Sequence, residues 1–172
     1  MFRDRTLRAA CPYCLAPCAT TATTPKFRVG ELPPSWHKVD SKSDLAFRSN
    51  EGGTIYANVD CDPNQDAPLD VLTNHLLFGV DVKMEQRAEM TLAGRKALRT
   101  RIHGEVDGVP VELDTIVMKK NGCVYDLGLA AGPDTFDTHE HAFEEFIAGF
   151  ETREDFGNRP REEGIACSVT PC

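Results

Sequence analysis

Residues 105–131 read EVDGVPVELDTIVMKKNGCVYDLGLAA, and two dipeptides inside that stretch, Asp107-Gly108 and Asn121-Gly122, decide the architecture. Both central positions of a type I′ turn need positive φ, which Asp-Gly and Asn-Gly supply at the lowest steric cost, so each dipeptide predicts a tight hairpin. The runs they join, Val111–Lys119 and Cys123–Ala131, are rich in β-formers. Two hairpins in succession force an antiparallel meander. Val109, Val111, Leu113 and Ile116, set against Val124, Leu127 and Leu129, predict its apolar face.

Working upstream, Ala93-Gly94 is a further turn, joining Met84–Leu92 to Lys96–Glu105. Before these strands, Leu69, Leu72, Leu76, Leu77 and Val80 recur at helical spacing and predict an amphipathic helix over Pro68–Phe78. Asp66 and Pro68 suit its start and Gly79 its stop. Thr54–Val59 alternates with period two as a strand should, and Trp36–Val39 and Leu45–Phe47 predict short edge strands. Downstream, Pro133 ends the last strand. The spacing from Asp137 to Glu140 matches a capping box. Phe136, Phe143, Phe146, Ile147 and Phe150 form one apolar stripe on the helix that follows. Burying one such ring contributes roughly 1.5–3 kcal/mol, which makes the stripe the expected clamp on the sheet. The expected fold class is α+β: an antiparallel β-sheet meander packed by two amphipathic helices, in a single domain over residues 25–152. The charged, Gly/Pro-punctuated residues 153–172 are expected to form an unstructured tail.

Composition narrows the function classes. The 172 residues carry a net charge of -8, spread along the chain, which argues against a nucleic-acid partner because phosphate contacts need clustered Lys and Arg. No apolar run approaches the roughly 18 residues of a membrane-spanning helix. The seven cysteines are unevenly placed. Cys11, Cys14 and Cys18 lie near the start, Cys167 and Cys172 at the end, and Cys61 and Cys123 inside the folded segment. Arg3, Arg5 and Arg8, a short apolar stretch and a Thr-rich linker ahead of Pro25 have the order of an export signal over residues 1–24. Leu15-Ala16-Pro17-Cys18 is similar to a bacterial lipobox, with Pro17 where a small residue is usual. Cys18 is therefore a lipidation candidate and a lipid anchor the expected membrane attachment. In an oxidising compartment Cys61 and Cys123, each at the end of a strand, are disulfide candidates. The bond would close a loop of about 62 residues and stabilise by roughly 4 kcal/mol on the chain-entropy model.

The order of elements also resembles a known family. Gly94-Arg95-Lys96-Ala97, Asn121-Gly-Cys-Val-Tyr-Asp126, Pro133 to Phe136 and Gly149-Phe150, within Phe27–Phe150, resemble the α/β/α sandwich of PsbP, the extrinsic subunit of photosystem II, and bacterial lipoproteins of that fold. The resemblance implies an envelope location and supplies no activity, because the wider group includes photosystem accessory proteins and a Ran-binding nuclear protein.

Several residues invite chemical readings. Cys11-Pro12-Tyr13-Cys14 is a glutaredoxin-type dithiol motif, yet the chemistry needs Cys11 at a helix N-terminus behind a βα unit, and only ten residues precede it. Processing at Cys18 would remove it. His139 and His141 are two apart on a helix and point in different directions, so they do not share an ion and are expected to be solvated. Glu112 and Asp114 fall on one face of a strand, opposite Val111 and Leu113, and a solvated sheet face accounts for them. No catalytic residue, metal ligand set or cofactor fingerprint is identified. The expected role is a non-enzymatic cell-envelope domain that binds or assembles with an unknown protein or small-molecule partner. The alternatives are a thiol-redox protein using Cys11 and Cys14, and a small-ligand carrier with an apolar cavity lined from Phe143 to Phe150.

Overall fold

The structure is a computed structural model that describes residues 26–62 and 66–157. In chain order the strands are β1 (Phe27–Arg28), β2 (Trp36–Lys38), β3 (Leu45–Ser49) and β4 (Thr54–Asp60). Helix α1 (Leu69–Leu76) follows, then β5 (Asp81–Leu92), β6 (Arg95–Val106), β7 (Val109–Lys120) and β8 (Cys123–Ala131). Helix α2 (Phe136–Ala148), β9 (Glu151–Thr152) and a short α3 (Arg153–Gly157) complete the described residues. Seven strands form one antiparallel sheet in the order β2-β3-β4-β8-β7-β6-β5, and β1 pairs with β9 as a separate ribbon.

The meander forms as its turns dictate. Asp107 and Gly108 have φ of 52° and 77°, and Asn121 and Gly122 have 53° and 75°. The third turn is sterically less comfortable: Ala93 takes φ 47° before Gly94 at 73°. These two-residue turns set the register, with Val106 opposite Val109 and Lys120 opposite Cys123. The β5–β6 pairing is regular from Met84 to Leu92 and shifts between Val82 and Met84, so Lys83 sits in a bulge.

The sheet is apolar on both faces, which corrects the single face expected from Val109, Ile116 and Val124 together. Successive residues of a strand point to opposite sides. Ile116, Met118, Leu127 and Leu129 pack with Ile55, Ala57 and the α2 stripe, whereas Val117 and Val124 pack with Leu72 of α1 on the other side. Val109 is 65% exposed at the hairpin tip. The result is a helix–sheet–helix sandwich.

Phe136, Phe143 and Phe146 are fully buried, and Ile147 and Phe150 nearly so. Tyr125 meets Phe150 and Phe27 edge-on, with ring centroids 5.6 and 6.5 Å apart. Two glycines let the chain after β1 cross the end of α2 backbone to backbone. A Cβ on Gly30 would lie 1.9 Å from the Glu145 carbonyl oxygen, and one on Gly149 would lie 2.4 Å from the Gly30 Cα.

Two boundaries differ from expectation. Helix α2 starts at Phe136, with Thr135 at the cap position and no side-chain cap bond, so Asp137 to Glu140 is not a capping box. The Gly132 carbonyl accepts from the N–H groups of both Thr135 and Phe136 and begins the helix before Asp137. Asp137 falls instead in the first turn, where its charge suits the helix dipole. Residues 153–157, expected within the unstructured tail, form α3. The Asp155 carboxylate accepts from the Thr152 N–H at 2.8 Å and pairs with Lys120 at 2.6 Å, which holds this turn against β7. Lys120 is the first cause of an Asp155 carboxyl depressed to about 2.

Candidate functional site

On the α2 side of the sheet, alternation on β6 aims Arg99, Arg101 and His103 the same way, and the register places Arg101 opposite Asp114 and His103 opposite Glu112. Helix α2 packs over β8. Glu140 and Glu144, one turn apart on it, reach towards the arginines. Between this flank of α2 and the β5–β6 hairpin runs a groove of about 400 Å³, lined by Gln86, Arg99, Arg101, Asp114, Glu140 and Glu144 among others.

Asp114 is the pivot of the groove. Its side chain is 1% exposed. Arg99 donates to it in fork geometry, Nε to Oδ1 at 3.0 Å and Nη2 to Oδ2 at 2.7 Å, and the same Nη2 donates to Glu144 at 2.6 Å. Arg101 lies 3.6 Å from Asp114 and bonds to Glu140. Both guanidinium groups rest on aromatic rings, Arg101 at 4.9 Å from the Phe136 centroid and Arg99 at 5.9 Å from that of Phe143. The hydrogen bond to Asp114 is the first cause that raises Arg99 above the ordinary arginine range, so its charge is permanent. Beyond the arginines, His103 Nδ1 is 3.0 Å from Glu112. The Asp114 carboxylate is thus paired with the two arginines and that of Glu112 lies against His103, which corrects the solvated-face reading. Bidentate arginine–carboxylate pairs fix both partners in orientation as well as in charge.

His139 also departs from expectation. It is 3% exposed, its ring 5.1 Å from that of Trp36, and its Nε2 has no hydrogen-bond partner. Gly53 leaves room for it: a Cβ there would lie 2.3 Å from the imidazole. His141 on the opposite side is exposed.

The α1 side carries a second polar group. Asn58 donates to Asp126 at 2.7 Å. Burial is the first cause that raises the Asp126 carboxyl above its usual range, with Asp44 and Asp60 adding to it and the Asn58 hydrogen bond opposing it. Burial, then Asp126, also raises the Tyr56 phenol. That phenol lies over Gly128, where a Cβ would meet its oxygen at 2.5 Å. A smaller cavity of about 190 Å³ beside it is lined by Asp60, Leu72, His75 and Asp126, among others.

At the edge of that region the Sγ atoms of Cys61 and Cys123 are joined in a disulfide, with the Cα atoms 4.0 Å apart. The neighbouring Asp60–Val124 register pair brings the two cysteines together. Cys11, Cys14 and Cys18 lie outside the described residues. Among the described residues no three His, Cys, Asp or Glu side chains gather as metal ligands, and no helix is long and apolar enough to cross a membrane.

No protein-family model and no curated protein matches the chain. Solved structures do. LpqN of Mycobacterium tuberculosis, described as involved in cell envelope biogenesis, is 19% identical, with a TM-score of 0.54 over 72% of this chain and 81% of its own. Cyanobacterial PsbP (CyanoP) of Synechocystis is 12% identical, with a TM-score of 0.50 over 80% of this chain and 98% of its own. A protein of Bacteroides thetaiotaomicron is 11% identical, with a TM-score of 0.51 over 76% of this chain and 49% of its own. The fold is therefore PsbP-like. At these identities the likeness speaks for architecture and not for activity.

Proposed function

We propose, starting from the PsbP-like fold, that the protein is a non-enzymatic domain of the cell envelope that acts by binding or assembly, and that the groove beside α2 is its binding surface. The observation that carries this reading is the preorganised pair Arg99 and Arg101. Asp114 and two phenylalanine rings hold both guanidinium groups, and each side chain keeps about a quarter to a third of its surface open (26% and 31%). Donors locked before the partner arrives lose little entropy on binding. Carboxylates and guanidinium groups share the lining, so a polypeptide segment of mixed charge suits it better than a strong anion. The small-ligand alternative called for a cavity along Phe143 to Phe150, but Phe143 and Phe146 are fully buried in the packed core.

The envelope location draws on the lipobox-like Leu15–Cys18, the fold likeness to an envelope protein and the Cys61–Cys123 pairing, which suits an oxidising compartment. Intact mass after expression in a bacterial envelope tests it. Cleavage before Cys18 with a lipid adduct is expected. A mature chain that keeps Cys11 and Cys14 as reactive thiols overturns the location and favours the redox alternative.

The binding surface is tested with a photo-reactive side chain at Gln86, on the groove lip, in cells. The expected result is cross-linking that Arg101→Ala abolishes and that a probe at Lys42 does not reproduce. Equal labelling from both positions would remove the groove from the proposal.

A further inference from the structure

We infer that two copies of this chain pair through β5, antiparallel about a two-fold axis at Ala88, so that their sheets join into one. The two ends of the sheet differ. At one end β2 is three residues long, too short to template another strand. At the other, β5 is twelve residues long and exposed from Asp81 to Glu89. It pairs on one side only.

Residues that flank a two-residue turn exchange both ladder bonds, and bonded residues then alternate. Leu92 and Arg95 flank Ala93-Gly94, so Leu92, Met90, Ala88, Gln86 and Met84 direct their N–H and C=O groups to β6. Thr91, Glu89, Arg87 and Glu85 direct theirs outwards. Four residues thus offer a free ladder over a segment that the Lys83 bulge does not reach.

Charge complementarity favours a second copy as the occupant, and the bulge at Lys83 favours a centre at Ala88 over one at Gln86, which would draw Lys83 into the ladder opposite Glu89. Glu85, Arg87 and Glu89 lie on one face and alternate in sign. Within one copy Arg87 pairs with Glu85 and donates to Asn74, and Glu89 pairs with Lys96; these exposed pairs exchange for the contacts between copies. In a two-fold pair centred on Ala88, each Arg87 is opposite Glu89 of the other copy. The small Ala88 side chains meet at the axis, and Met84 is opposite Leu92. Centring on Arg87 would oppose arginine to arginine and Glu85 to Glu89, which is unfavourable for charges directly across a ladder. Met84, 56% exposed in one copy, gains an apolar neighbour in the pair. The groove lip residues Gln86 and Ala88 then lie at the junction, and the two grooves flank the axis.

The test is sedimentation equilibrium of the full chain over a range of concentrations, with circular dichroism to confirm folding. Wild type is expected to be dimeric at micromolar concentrations. Arg87→Glu is expected to weaken the dimer by about tenfold, and Glu89→Pro, which removes an outward N–H, to abolish it. The combined Arg87→Glu, Glu89→Arg variant restores opposite charges about Ala88 and is expected to recover the dimer; about Gln86 it would leave like charges facing each other. A monomeric wild type, a dimer indifferent to Arg87→Glu and Glu89→Pro, or no recovery in the combined variant overturns the inference. Because the recovery compares folded variants, a misfolded Glu89→Pro protein does not decide the matter.

Discussion

Asp114 ties β7 to two arginines of β6. It is almost wholly buried and holds two arginines, so its removal strands positive charge beneath α2. Taking one partner from such a pair costs about 3 kcal/mol, towards the low end for buried pairs because Arg99 is partly solvated. Asp114→Ala is expected to lower the urea midpoint accordingly, with the slope unchanged. Asp126 behaves in the opposite sense. Its raised carboxyl means that the folded state holds the proton more tightly than the unfolded chain does. Its contribution is full below the ordinary value of 3.8 and is lost as pH rises through the folded value. Asp126→Asn keeps an acceptor for Asn58 and is expected to raise the melting temperature at pH 7, with the gain gone below about pH 3.8. Parallel melts of the two proteins across that range check the sign. Little of this was legible in single residues. A carboxylate on a strand reads as solvated unless the position of the helix above it is known. The burial of His139 is hidden from the sequence for the same reason: Trp36 and Gly53, which enclose it, are distant in sequence.

At the scale of elements the turns spoke clearly, and they contained more than was taken from them. A two-residue turn at Asp107-Gly108 makes paired residue numbers sum to a constant, so Arg101 must face Asp114 and His103 must face Glu112. The clamp was therefore implicit in the hairpin. What the pattern lacked was α2, whose Glu140 and Glu144 complete it from across the sheet. The helix ends were less legible, because the Gly132 carbonyl, and not a side chain, begins α2. Among the turns, Ala93 is the element with a removable cost. An L-residue with a Cβ in the left-handed region loses roughly 1–2 kcal/mol, and Asn tolerates that region better. Ala93→Asn is expected to stabilise by about 0.5–1 kcal/mol in chemical denaturation. A loss of stability would mean that Ala93 packing against the core outweighs its backbone strain.

For the whole molecule, the Cys61–Cys123 bond spans 62 residues of chain and ties β4 to β8 beside their strand pairing. Reduction is expected to cost about 4 kcal/mol by the chain-entropy model. The check is paired denaturation with and without reductant, together with intact mass; an unchanged midpoint on loss of the bond would show that strand pairing alone holds that corner. Two apolar faces, a two-sided helix cover and the PsbP-like likeness all follow from the same alternation, which a one-faced reading of the meander obscured.

The small β1–β9 ribbon has a consequence of another kind. It sets Phe27 beside Thr152, so the first strand and the last lie together at one pole of the fold. If Cys18 is the anchored residue, eight residues lie between it and Phe27, a leash of about 30 Å at full stretch over the nine steps. On such a leash the domain would patrol only the layer next to its bilayer.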